Sequence, residues 1–294
     1  MANPRLLIAH ANLAAGAMIA LDEGQARHVG TVLRLDVGDT LRVFNAGDGE
    51  WRARVVEKTK RGMSVSVTEF VRASRAVPDL DLLFAPVKRH ATDLIVEKAT
   101  ELGVRRIRPV ITQRTIAETV RVDRLQAIAR EAAEQTERFE APEVCAPLSL
   151  ARALDGWDAS RALIFADESG DEADAPWGGE SGRARPILKV LTPSSREEGA
   201  GGGVNLDAER QSTPLLQRAS DAPSFTPPPN PLLSRGGGVA VLIGPEGGFT
   251  PEERRMLRAL PYVIPVSLGP RILRAETAVI AALTIVQAAW GDWR

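Results

Sequence analysis

Val241-Leu-Ile-Gly-Pro-Glu-Gly-Gly-Phe-Thr-Pro-Glu-Glu253 is the stretch on which the fold turns. An apolar run ends at Ile243, a glycine-rich turn follows, and helix signals begin at once. Thr250 is an N-cap, Pro251 occupies the first helical position, and Glu253 completes a capping box. Gly244, Gly247 and Gly248 let a ligand approach the backbone closely. A strand that is apolar without alternation belongs to a parallel sheet covered on both faces. Loops at the carboxyl ends of such strands are where open α/β sheets bind ligands. The loop fits neither GxGxxG nor GxxxxGKS/T, so neither a dinucleotide site nor a P-loop is indicated.

Outward from this loop the design repeats. Val266-Ser-Leu-Gly-Pro-Arg-Ile-Leu-Arg-Ala-Glu-Thr-Ala278 again reads strand, Gly-Pro turn, helix. Strands are expected over 82–85, 107–111, 162–165, 239–243 and 263–266, and helices over 91–102, 121–138, 251–260 and 275–290, which is an α/β domain. The final helix is apolar nearly all round, with Val279, Leu283, Val286 and Trp290 on one face and Ile280, Ala281, Ala282 and Ile285 on others. Such a helix is buried on more than one side. The first 76 residues follow a different rhythm: period-2 runs at 40–44, 51–56 and 63–68 alternate with turns Asn45-Ala-Gly-Asp-Gly49 and Lys60-Arg-Gly62. Five or six such strands suggest a small β-barrel. The expected division is therefore 1–76 and 77–294, the second part interrupted at about 192–238. There, glycine runs and Thr226-Pro-Pro-Pro-Asn-Pro231 cannot build a core, and a mobile, disordered insertion is expected.

Composition narrows the class. The 294 residues are 44% apolar and 26% charged, with a formal net charge of −1, which suits a globular protein and neither demands nor forbids a polyanionic partner. The balance is uneven along the chain: residues 1–76 and 88–138 each carry +3 and residues 139–238 carry −6. The two basic regions could face phosphates. Cys145 is the only cysteine, so no intramolecular disulfide framework exists. No apolar run reaches the ~18–20 residues of a membrane span, and the N-terminus lacks a signal-peptide pattern, so a cytoplasmic protein is expected. His10, His28 and His90 show no metal-ligand spacing, so no metal is expected. Lys88 and Arg89 follow the first α/β strand and, with Arg5 and Arg34 of the barrel, are candidates for contacts with the phosphates of a polyanionic partner.

The paired loops IGPEGGFTPEE and SLGPRILRAETA, followed by Arg271, Arg274 and Glu276, resemble the SPOUT class of RNA methyltransferases. Within it, they are most similar to enzymes that methylate N3 of a uridine in 16S rRNA. LIVEKATELGV at 94–104, EAAEQTER at 131–138 and HVGTVLRLDVGD at 28–39 extend the resemblance over nearly the whole chain apart from the insertion. The resemblance implies an N-terminal PUA-like barrel that holds RNA, a C-terminal domain with a trefoil knot, and a homodimer. It implies that S-adenosylmethionine lies in the knot, against backbone of Leu242, Ile243, Gly244, Pro245, Glu246, Gly247 and Gly248 and of Ser267, Leu268, Gly269, Ile272 and Leu273. Phe165 and Ala166, at the strand end running on to Asp167 and Glu168, supply a third contact, and Thr277 closes the pocket.

Methylating uracil N3 requires loss of its proton. A cation beside O2 or O4 stabilises the anion, and a carboxylate or water takes the proton. Arg274 is the first candidate for that cation and Arg271 for a phosphate or second carbonyl. Glu276 orients Arg274 or acts as base, or is simply a charge at a helix N-terminus. Two other readings stay open: a SPOUT enzyme acting on tRNA or a ribose 2′-OH, and a non-catalytic RNA-binding assembly factor.

Overall fold

The computed structural model describes residues 4–9, 11–59, 62–116, 119–172, 174–191 and 237–293. The insertion expected at 192–238 lies outside the described residues, apart from Gly237 and Gly238.

Alternation builds the first sheet. Strands β1 (Arg5–Leu7), β2 (Met18–Ala20), β3 (Thr40–Asn45), β4 (Gly49–Thr59) and β5 (Gly62–Arg72) are ordered β1-β3-β4-β5-β2. Leu41, Val43, Ala53, Val55, Met63, Val65 and Val67, the apolar halves of the period-2 runs, share one buried core. The turn between β3 and β4 is set by Asn45, whose Oδ1 accepts from Asp48 N at 2.6 Å, and by Gly49 at φ +81°. β1 and β2 form the two edges and do not pair with each other. The expected barrel is therefore open along this seam. Helix α1 (Glu23–Arg27) bridges it, with Gln25 Nε2 donating to Leu7 O at 3.0 Å.

The second sheet is wholly parallel. It comprises β6 (Leu80–Phe84), β7 (Arg106–Ile111), β8 (Glu143–Val144), β9 (Leu148–Ser149), β10 (Ala162–Ala166), β11 (Val239–Ile243) and β12 (Val263–Val266). Its order is β12-β10-β11-β6-β7-β8, with β9 following β8 along β7. Helices α2 (Arg89–Glu101), α3 (Val122–Gln135), α4 (Leu150–Leu154), α5 (Ile187–Leu191), α6 (Pro251–Arg258) and α7 (Ala275–Ala289) flank it. The short elements β8, β9, α4 and α5 were not legible as pattern, because two to five residues are too few to show a period. All five residues of β6, β10 and β11 are buried, and alternate residues feed two cores, one on each face.

Strand order decides which loops become neighbours. β10 lies between β11 and β12, with Phe165 opposite Leu242 on one side and Ala166 opposite Val266 on the other. The two Gly-Pro loops therefore leave the same carboxyl edge on either side of the loop that leaves β10.

The joint between the two sheets corrects one expectation. Arg5 does not face a phosphate: its Nε pairs with Glu50 at 2.9 Å, its Nη1 donates to Glu134 O at 3.0 Å, and its guanidinium stacks 4.0 Å over Phe44. Arg72 completes the cluster, pairing with Glu50 at 2.5 Å and Glu137 at 2.6 Å. The Arg5 guanidinium is taken up inside the protein, because the buried Glu50 carboxylate must be matched.

Candidate active site

Three loops at the sheet edge line a cleft with one apolar wall and several polar groups. Its apolar wall is Ile243, Val266, Leu268, Leu273, Ala275 and Ala278. Gly244, Pro245 and Glu246 line it from the first Gly-Pro loop, Gly269, Arg271 and Ile272 from the second, and Ala166, Asp167, Glu168 and Trp177 from the β10 loop.

Several residues expected at the site have side chains or hydrogen bonds engaged outside the cleft. The side chains of Phe165 and Leu242 point into the opposite core, since strand side chains alternate, which leaves their backbone for the expected donor contact. Phe165 instead shapes the loop indirectly: its ring packs edge-on to Phe249 at 5.0 Å. A Cβ at Gly244 would come within 2.5 Å of the Phe249 ring, so this glycine answers to packing beneath the loop. Ser267 is occupied by backbone pairing, its N donating to Arg185 O at 2.9 Å and its O accepting from Ile187 N at 3.0 Å. Gly247 faces an adjoining cleft and accepts from Arg114 Nη1 at 2.8 Å. Gly248, at φ +67°, closes the turn by donating to Pro245 O at 2.8 Å. Thr277 is exposed on α7 and does not line the cleft.

Of the candidate reactive groups, Arg271 lines the cleft and Arg274, the N-cap of α7, stands exposed beside it in sequence. Glu276 lies in the first turn of α7. Lys88 and Arg89 are exposed at the start of α2, past the end of β6. They line a separate cleft with Arg121 and Arg124. Arg34 is exposed with φ +56° after the first helical segment of the N-terminal sheet. Among the described residues no group of three His, Cys, Asp or Glu could hold a metal, and no helix is long and apolar enough to cross a membrane.

The β10 loop is anchored by charge. Asp167, buried at the strand end, accepts from Arg254 Nε at 2.8 Å and from Arg258 Nε at 2.7 Å. Arg254 also donates to Ser169 O at 2.6 Å and Gly170 O at 2.8 Å, and Arg258 to Gly182 O at 2.8 Å. α6 is itself fixed by the expected capping box, with Thr250 N donating to Glu253 Oε2 at 3.0 Å. Glu253 Oε1 accepts from Gln113 N at 2.9 Å, tying in the loop after β7. Next to Asp167, Glu168 projects into the cleft, and burial pushes its carboxyl above the usual carboxylate range.

Comparison with known proteins bears directly on this arrangement. Residues 74–185 and 209–287 match the model of the RNA methyltransferase domain, and residues 21–68 that of the RNA methyltransferase PUA domain. The chain belongs to the RNA methyltransferase domain family. Among relatives of this RNA methyltransferase, the ribosomal RNA small subunit methyltransferase E of Rickettsia conorii is 28% identical over 88% of the chain and 85% of the relative. That of Synechocystis is 28% identical over 92% and 73%. A Legionella pneumophila structure, described as a methyltransferase in complex with the bound cofactor SAM, superimposes with TM-score 0.71 at 26% identity over 99% of this chain and 100% of the other. The fold is thus that of a PUA-like domain followed by a SPOUT-like α/β domain.

In this RNA methyltransferase, sequence reasoning missed Trp177, Arg114 and the Asp167–Arg254–Arg258 cluster. Arg254 and Arg258 sit four apart on α6, and that spacing was the one available sign that they share a face. Their partner lies 87 and 91 residues away, so nothing local announces it.

Proposed function

We propose that the chain uses S-adenosylmethionine to methylate N3 of a uridine in 16S rRNA of the small ribosomal subunit. The observation that carries this reading is the cleft between the two Gly-Pro loops, with Glu168 and Arg271 on its walls. Its residues suit the donor. Ile243, Leu268 and Leu273 offer an apolar slot for adenine, and peptide groups from Gly244 to Glu246 and at Gly269 can meet its polar edge. Gly269, at φ +115°, leaves open space where a side chain would otherwise stand. The SAM-bound Legionella relative and the small subunit rRNA methyltransferases of Rickettsia and Synechocystis support the donor and the substrate.

S-adenosylmethionine supplies an electrophilic methyl group when bound. The chain's task is to hold the uracil so that N3 meets that methyl at about 3–3.5 Å, and to stabilise N3 without its proton. Arg274 stabilises the negative charge on O2 or O4, and Arg271 holds a phosphate or the other carbonyl. Glu276 orients Arg274 or accepts the proton. Glu168 is the second candidate acceptor, because its raised pKa brings it closer to the ideal for a general base. Thr277, on the exposed side of α7, is the contact that this reading takes from the last helix.

Other parts of the reading concern the whole chain. Residues 1–76 form the RNA-holding domain and 77–294 the methyltransferase domain, with Arg34, Lys88 and Arg89 on phosphates. A trefoil knot in the second domain is supported by the packing of α7 against α2 and α5, after the chain has crossed from β11 over β10 to β12. A homodimer is supported by Ile280, an apolar side chain left exposed on the largely apolar α7. The cytoplasmic location expected from the sequence goes with this substrate.

Calorimetry with S-adenosylmethionine tests the donor, and mass-spectrometric mapping of rRNA methyl groups from cells with and without the protein tests the target. One N3-methyluridine should disappear from 16S rRNA. Intact 16S methylation with a methyl group lost from tRNA or a ribose would move the assignment to another RNA. Arg274→Ala with full turnover would remove that residue from its role.

A further inference from the structure

Trp177 stands 44% exposed on the rim of the cleft. The same residue lines the adjoining cleft, whose walls carry Arg114, Arg254, Arg255 and Arg258, so it forms the ridge between the two. Its backbone is left-handed, with φ 54° and ψ 29°, a conformation unusual for a bulky residue and one that persists only where its surroundings enforce it. The enforcement is visible. Trp177 O accepts from Gly170 N at 2.9 Å, and the neighbouring Gly178 O accepts from Glu172 N at 2.8 Å. Gly170 and Gly178 approach so closely that a Cβ on either would collide with the backbone of the other. Beneath them, Arg254 grips Ser169 O and Gly170 O while Asp167 neutralises its charge. The indole is therefore a large apolar plane kept in contact with solvent on a rigid mount, at the entrance to the cleft.

We infer that Trp177 is the stacking platform on which the target nucleobase lies as it is presented to the cleft. The inference rests on the methyl-transfer reading and specifies how the substrate is gripped. A uracil is neutral, flat and polar only at its edge, so it offers an indole one broad π-face while leaving N3 free. RNA bases taken out of a stack are held this way, on aromatic side chains. Arg114, exposed on the far side of the ridge and donating to Gly247 O, suits a phosphate that flanks such a base, whereas Arg254 and Arg258 are spent on Asp167. The donor's own adenine has a drier place, against Ile243, Leu268 and Leu273.

The test uses the full-length protein with Trp177→Ala, Trp177→Leu and Trp177→Phe. Donor affinity is read by calorimetry, and methyl transfer on small ribosomal subunits from cells lacking the protein. For Ala and Leu, kcat/KM for RNA should fall roughly 5- to 150-fold, the factor that corresponds to one lost base–aromatic stack. Donor affinity should stay within about two-fold of wild type, which also reports an intact fold, and Phe should recover most of the rate. Unchanged kcat/KM in Ala or Leu would overturn the inference while leaving the methyl-transfer reading intact. So would Phe behaving like Ala, a parallel loss of donor affinity, or a change of oligomeric mass. Wild-type protein that binds no donor would overturn the reading itself, and the platform with it.

Discussion

Glu168 shows how much one residue's surroundings decide. Burial raises its carboxyl pKa and the neighbouring Asp167 charge adds to this, against a lowering by its own backbone N–H, Arg254 and Arg114. Because the folded-state pKa lies above the unfolded one, the stability linked to the protonated form is fully present below the unfolded value. It is lost as pH rises through the folded value. Glu168→Gln should therefore melt higher than wild type at pH 8, with the gap closing as the pH falls below the ordinary glutamate range. Thermal melts across pH check this, and a pH-independent gap would refute it. Gly244 offers a second case. Gly244→Ala puts a methyl against the Phe249 ring, which is itself held by Phe165. A loss of about 1–3 kcal/mol is expected, most of it recovered by adding Phe249→Leu, as measured by urea unfolding.

At the scale of elements, α6 acts as a clamp. Its N-terminus is set locally by Thr250 and Glu253, and its last two turns hold the β10 loop through Arg254 and Arg258. Asp167→Asn leaves Arg254 buried and only half matched, and breaking a buried pair of this kind costs about 3–5 kcal/mol. The partial exposure of Arg258 puts the expectation at the lower end of that range. Donor affinity should fall with it, because Glu168, which lines the cleft, lies next to Asp167 on the same loop. Chemical unfolding together with calorimetry would show both effects, and unfolding without any change in donor affinity would separate the clamp from the cleft.

For the whole molecule, the joint between the two sheets is a cluster around Glu50, fully buried between Arg5 and Arg72. Burial raises this carboxyl, but hydrogen bonds from Arg72 and Arg5 outweigh it, so its pKa is lowered overall. The stability it contributes is present above the ordinary glutamate range and is lost as pH falls through the depressed value. Assembly is a separate question. The homodimer reading calls for a particle of twice 31.6 kDa in light scattering. Ile280→Asp, placed at an exposed apolar position of α7, should shift it towards the monomer mass. A monomeric wild type at micromolar concentration would count against the dimer.

Short-range signals carried the elements and the main cleft. The capping box at Thr250 and Glu253, the apolar runs of β10 and β11 and the paired Gly-Pro turns act over a few residues, so they are readable without neighbours. They located the loops, and with them Ile243, Gly244, Leu268 and Gly269 at the cleft. Tertiary structure alone decided which face each strand residue took. It sent Phe165 and Leu242 to the far core, drew Arg5 into a joint with Glu50, and raised Trp177 onto a rim. The reason is physical: a side chain's direction in a buried parallel strand carries no polar alternation to reveal it. A charge is free or spent according to partners that can lie 45 to 91 residues away.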